Sequence, residues 1–362
     1  MKIINLALVA TAFLALTTAC TSSHDTADNT VVEQTEQKDT PPIDEKARAL
    51  YDKCNNLNDR DACFYLGVAY YSGEGVKQDY SMSATYWEKA CSQGVEDGCF
   101  NVGILYGNGQ GVKQDYKLAN HYYQKACDKN HSSGCYNLGV SYDEGKGVKQ
   151  DYRQANKYYL KACDLNEDKG CSNLGDLYRD GEGVKQDYRQ ANKYYLKACD
   201  MNNGGGCNGL GYSYNEGRGV KKDLLQARKY YLKACDLNSG AGCENLGDLY
   251  YKGEGVKQDY HQANQYFKKA CGLDNANSCN TLGFLYDKGQ GVRQDFQQAM
   301  NYYQKSCDLK NGMGCFNVGA MFRNGQGVKQ NKNTAKQYYG KACDLGEQKG
   351  CDKYRELNER GY

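Results

Sequence analysis

Cysteine is the residue whose type and spacing carry the most chemistry in this chain. There are 19 in 362 residues. That is too many for a cytosolic protein, whose thiols stay reduced, yet the chain is far longer than the small secreted domains that use disulfides in place of a core. From Cys91 onward they come in pairs eight apart: Cys91 and Cys99, Cys127 and Cys135, Cys163 and Cys171, Cys199 and Cys207, Cys235 and Cys243, Cys271 and Cys279, Cys307 and Cys315, Cys343 and Cys351. Cys54 and Cys63, nine apart, precede them. Pairing neighbours uses all of these, whereas the longer pairing, Cys99 with Cys127 and its copies, strands Cys54 and Cys351; nine local disulfides are therefore expected. In the chain-entropy model each such loop is worth roughly 2.5 kcal/mol. A zinc site would need four ligands, usually from Cys-x-x-Cys pairs; the chain has no such pair and only 4 His, so no metal and no other cofactor is expected.

Other candidate chemistry is thin. The Gly-x-Gly segments (GEGVKQD and its copies) resemble a phosphate loop only superficially, since they lack the Gly-Lys-Ser/Thr ending and follow a helical pattern rather than a strand. His24, His121, His131 and His261 have no repeated partner and read as solvated or structural. With 46 basic against 44 acidic residues, binding of nucleic acid by bulk charge is excluded.

The nineteenth cysteine sits elsewhere. Residues 1–20, MKIINLALVATAFLALTTAC, place Lys2 before an apolar run and small residues before Cys20. This is the layout of a signal peptide, and its end resembles a bacterial lipobox in which Cys20 is acylated after cleavage. The expected organisation is a signal peptide over 1–19 and a flexible tether over 20–43 that holds both prolines and lipidated Cys20. The protein is then exported and attached to the outer membrane through lipid alone, facing the periplasm or the cell surface.

The elements that must position the paired cysteines are copies of one unit. Written from Cys63 in blocks of 36, the chain aligns without gaps, from CFYLGVAYYSGEGVKQDYSMSATYWEKAC to CFNVGAMFRNGQGVKQNKNTAKQYYGKAC. Eight units span 63–350, a partial unit (44–62) precedes them, and a cap fragment (351–362) follows. A fixed period in this range predicts an all-α solenoid, each unit burying its apolar face against its neighbours. In the second unit, Val102, Gly103 and Tyr106 share a face of the first helix, and Gly109 and Gly111 stop it. Asp115 starts a second helix that buries Tyr116, Ala119, Tyr123 and Ala126. Asp151 with Gln154, and its copies, have capping-box spacing. Small residues, Gly67, Gly103, Gly139 and their successors on the first helix, Ala84, Ala119, Ala155 and theirs on the second, are expected where the helices cross. A helical Gly costs about 1 kcal/mol relative to Ala, so its recurrence implies close packing. The period, the LG and GxGV segments and the A-x-x-YY-x-KAC ending resemble the Sel1-like repeat, a relative of the tetratricopeptide repeat. With its paired cysteines the chain is similar to the Helicobacter cysteine-rich proteins.

That resemblance implies two activities. One is a scaffold that binds a protein or peptide, from the envelope or from a host, in its concave groove. The other, an alternative, is penicillin binding with weak β-lactamase activity; the chain offers no Ser-x-x-Lys, Ser-Asp-Asn or Lys-Thr-Gly, so no catalytic residue is transferred. On the first helix, positions one, five and eight after the Cys share a face away from the packing residues. In the first three units this face holds Phe64, Val68 and Tyr71, then Phe100 and Ile104, then Tyr136 and Val140; in the middle units it is polar and acidic. An apolar patch without a packing duty is where a partner should anchor. Beside it run Asn101, Asn137, Asn173, Asn245 and Asn317, suited either to the backbone of an extended peptide or to bonds between repeats. In the Tyr-Tyr pair, the second place accepts Trp87 and Phe267, which marks a buried ring with a dispensable hydroxyl; the first is Tyr in all eight units, for packing or ligand contact. A row of cations, from Lys77 and Lys113 to Arg293 and Lys329, reads as a solvated rim or a contact for anionic lipid or polymer. A monomer is expected.

Overall fold

The computed structural model describes residues 43–362, and these belong to one compact unit. The signal segment, most of the tether and Cys20 lie outside the described residues. Among the described residues there are 18 helices and no strand. Glu45–Asn56 leads; eight hairpins follow, from Arg60–Ser72 with Tyr80–Ser92 to Gly312–Asn324 with Lys332–Asp344; Gln348–Glu359 closes the array. Each helix packs on the next. First helices also approach their counterparts in neighbouring hairpins more closely than second helices do, so the array curves with the first helices inside.

Local chemistry sets the helix ends. Every first helix in the hairpins stops at a left-handed glycine, such as Gly109 (φ 68°), whose N–H bonds to the carbonyl of Leu105. Every second helix starts at Asp or Asn: Asp151 Oδ1 accepts from the backbone N–H groups of Arg153 (2.9 Å) and Gln154 (3.1 Å). This is only half of the expected capping box. The Asp151 N–H donates instead to the carbonyl of Tyr142 in the preceding helix, and the same bond recurs from Asp79 to Tyr70 and onward to Asn331 and Phe322. The cap therefore ties the second helix to the end of the first.

Two other expectations need correction. Tyr116 is 40% exposed, because it lies in the first turn, beyond the crossing, where its hydroxyl meets the Gln114 amide. In the first hairpin the small residue in the crossing column is Ser83, not Ala84; both are buried, and the Ser83 hydroxyl donates to the Gly67 carbonyl at 2.8 Å.

Candidate functional site

All nine short-range disulfides are formed, from Cys54–Cys63 to Cys343–Cys351, with Cα separations of 4.5 to 4.8 Å. Each joins the last turn of one helix to the first turn of the next, and so fixes one hairpin to its neighbour. Two supports at these joints went unread in the sequence. At several joints the lysine of the KAC segment reaches back to the preceding hairpin: Lys161 Nζ donates to the Cys127 carbonyl (2.6 Å), Lys197 to Cys163 (2.8 Å) and Lys233 to Cys199 (2.8 Å). A cation thus meets a carbonyl at the negative end of a helix. The turn itself needs a left-handed residue, supplied by Asn130, Asn166, Asn202 and Asn238 at φ 60° to 64°. The repeated K-A-C and the Asn in C-D-x-N were the available signals.

The two tyrosine columns divide as ring types do. First-place Tyr122, Tyr158, Tyr194, Tyr230, Tyr266 and Tyr302 each stack on a tyrosine from the first helix of the same hairpin, with centroids 5.4 to 5.8 Å apart. Their hydroxyls are used only where the previous hairpin offers an acceptor: Tyr122 donates to Glu88 (3.2 Å), Tyr158 to Gln124 (2.6 Å) and Tyr338 to Gln304 (2.8 Å). Burial and the Glu88 carboxylate push the Tyr122 phenol up to about 12. The second-place rings lie over the helix-crossing glycines. A Cβ on Gly139 would stand 2.6 Å from the Tyr159 ring, and one on Gly175 2.6 Å from Tyr195. These rings are the close packing that the recurrent glycine implied, but their hydroxyls are not idle throughout: Tyr159 donates to Asp143 (2.8 Å) and Tyr195 to Asp176 (2.7 Å).

The predicted groove residues lie on the inner helices, and most of them pack. Phe64, Val68 and Tyr71 are half-buried against Trp87 and Val102; Phe100 and Ile104 pack on the second hairpin's core and Tyr136 and Val140 on the third's. The patch therefore does have a packing duty, because neighbouring hairpins close over one flank of each side chain. Phe100 also stacks on His131 (4.5 Å), whose Nδ1 accepts from the Gly134 N–H while Nε2 stands 3.1 Å from Asp97. That contact holds the Asp97 carboxyl below its usual range. Asn245 donates to Asn208 and Asn317 to Asn280, both at 2.8 Å, so these amides bond between repeats; Asn101 and Asn137, in the same column of earlier hairpins, are half-buried.

Further along the same face the character changes. Arg179 contacts Asp176 (2.7 Å) and Asp180 (2.6 Å), and Tyr195 joins the cluster. Burial raises the Asp176 carboxyl, whereas the guanidinium lowers that of Asp180. The outer rim is separate: Lys77, Lys113, Lys149, Lys185, Lys221, Lys257, Arg293 and Lys329 are all exposed. His121 and His261 are exposed as well. Among the described residues, no three His, Cys, Asp or Glu converge as metal ligands, and no helix is long and apolar enough to cross a membrane.

Comparison with known proteins agrees with this architecture. The Sel1 repeat family model matches eight consecutive segments, at 60–95, 96–131, 132–167, 168–203, 205–239, 240–275, 276–311 and 312–347. Among solved structures, a protective antigen of uropathogenic Escherichia coli with the same repeat fold, c5321, is 30% identical over 87% of this chain and 68% of that one, with a TM-score of 0.69. A Sel1 repeat protein from Oxalobacter formigenes is 26% identical over 67% of this chain and 96% of its own, at a TM-score of 0.62. Helicobacter pylori cysteine rich protein B is 39% identical, over 36% of this chain and 95% of its own, at a TM-score of 0.31. No curated protein matches the chain.

Proposed function

The chain belongs to the Sel1 repeat family, and on that premise we propose that it is an exported, lipid-anchored scaffold whose inner face holds a protein or peptide partner. Nine disulfides suit an oxidising compartment, where thiols do not stay reduced. Attachment through Cys20 rests on the sequence pattern from Met1 to Cys20; a Cys20→Ser variant leaving the membrane fraction is the expected result.

One observation carries the binding role. The joints, the stacked tyrosines and the crossing glycines repeat from hairpin to hairpin, while the half-exposed inner positions do not: Val68, Ile104 and Val140 give way to Asp176, Tyr212 and Asp248. Positions released from the repeat while still facing solvent are where a surface can be adapted to a partner. Because Phe64, Phe100 and Tyr136 also support the core, the test uses substitutions of similar volume, Val68→Gln, Ile104→Gln and Val140→Gln. Capture of the partner retained by the wild-type chain from envelope extract should fall about tenfold or more with helicity unchanged; equal capture by the triple variant would refute the site. The β-lactam alternative rests on resemblance alone, and nitrocefin turnover by oxidised protein free of contaminating lactamase is its test.

A further inference from the structure

In three hairpins one column of the second helices ties the hairpin to the next loop. Asn120 Nδ2 donates to the Lys146 carbonyl (2.7 Å), Asn192 to Arg218 (2.8 Å) and Asn264 to Gln290 (2.9 Å), in each case in the Gly-x-Gly turn of the following hairpin. Asn156 occupies the same column. Ala84, Met300 and Lys336 depart from it, but Ala84 and Met300 are buried and Lys336 is bonded to Asn358. In the fifth hairpin the residue there is Arg228, and the corresponding carbonyl, that of Glu254, receives no such bond from it. At this place a cleft of about 650 Å3 opens between Arg228 and the turn that carries Lys257, lined also by Tyr250, Tyr260 and His261.

The lining is cationic, and Arg228 acts electrostatically on the nearby Tyr266 phenol without bonding to it. Neither Arg228 nor Lys257 makes a hydrogen bond or ion pair with a described residue. The lining's acid is Asp259, and its Oδ1 already accepts from the backbone N–H groups of His261 (2.9 Å) and Gln262 (3.0 Å) as the cap of the helix Tyr260–Gly272. The Tyr260 hydroxyl accepts from the Gln258 amide at 3.1 Å, which leaves its own proton to donate. A planar guanidinium, an ammonium and a phenol proton around one opening are complementary to a compact oxyanion.

We propose that this cleft is an anion-binding site, formed where arginine replaced the tying asparagine, and that it takes a phosphate or carboxylate group, with Arg228 as the bidentate donor and Lys257 as the second charge. It lies on the outer turn and is independent of the inner face. The test is calorimetric titration of the full disulfide-bonded chain with inorganic phosphate and with citrate, at constant ionic strength balanced by chloride. Saturable binding of one or both is expected, and the tighter probe identifies the chemistry of the natural group. Arg228→Asn restores the residue that four other hairpins carry, so it retains the fold; it should weaken binding about tenfold or more. Arg189→Gln, which removes an exposed cation of the neighbouring hairpin outside the cleft, should leave binding unchanged. Absence of saturable binding, an unchanged affinity in Arg228→Asn, or an equal loss in both variants overturns the proposal.

Discussion

The two edges of the solenoid solve the same problem, reversing the chain between helices, by different physics. At one edge each second helix passes to the next hairpin through a short turn closed by a disulfide, reinforced at several joints by a lysine bonded to a helix-end carbonyl. At the other edge no covalent link exists, and the turn is held by two left-handed glycines, an aspartate cap and contact with the hairpin before it. The covalent edge carries a disulfide at every joint. The other edge varies, and at Arg228 it opens. A covalent crosslink tolerates exchange of its neighbours, whereas a turn held by many weak contacts registers each substitution; the variable edge is therefore where new chemistry can arise.

Perturbing the interior shared by both edges has the largest expected effect. Burial raises the phenols of Tyr123, Tyr159, Tyr195, Tyr231 and Tyr303 well above their ordinary value of 10.0, and that of Tyr122 to about 12. Because the folded state favours the neutral phenol, this stabilisation is complete below pH 10 and declines as pH rises from there through the raised values. Part of the phenolate absorbance, that of these buried rings, should appear only together with the loss of circular dichroism; ionisation of all the tyrosines with the helices intact would show that the rings are not held as described.

Next comes the glycine edge. Gly147 has φ 70°, and a Cβ there would stand 2.5 Å from the backbone of Tyr116. Gly147→Ala should cost about 3 kcal/mol, read as a fall in melting temperature, since both the dihedral and the contact are violated. At the covalent edge, the pair Cys199→Ser with Cys207→Ser should cost about 2.5 kcal/mol under oxidising conditions and nothing relative to wild type under full reduction. A larger cost for the disulfide than for the glycine would reverse the assigned roles of the two edges. Lys233→Met, which removes the bond to the Cys199 carbonyl but keeps the stem, should cost about 1 kcal/mol in the same melting assay. The smallest contrast lies between tyrosines: Tyr158→Phe should lose about 1 kcal/mol with its bond to Gln124, while Tyr230→Phe, where Leu196 takes the place of that glutamine, should be near neutral.

Much of this architecture was legible because the repeat supplies eight readings of one rule. Asp115 and its copies mark helix starts, Gly109 and its copies helix ends, and cysteine spacing alone excluded the pairing of Cys99 with Cys127. What failed did so where a residue's role depends on a neighbouring hairpin. Phe100 looks unengaged on its own helix, yet it stacks on His131, which caps the first helix of the next hairpin. The second half of the capping box was expected from local spacing, but the Asp151 N–H is taken by a carbonyl that only the folded hairpin brings close. Arg228 carried no motif, and its meaning depends on the bond that Asn120, Asn192 and Asn264 make across hairpins.

The sequence by itself determined the unit: its two helices, their ends, the pairing of its cysteines and the small residues at the crossing, all of them short-range consequences of backbone sterics and chain connectivity. Only the tertiary structure decided which faces remained free, because exposure is a property of stacked hairpins rather than of any one of them. Stacking turned a predicted open patch into a half-buried seam between repeats, and it left a cationic cleft at the one turn where an arginine stands in place of the tying asparagine.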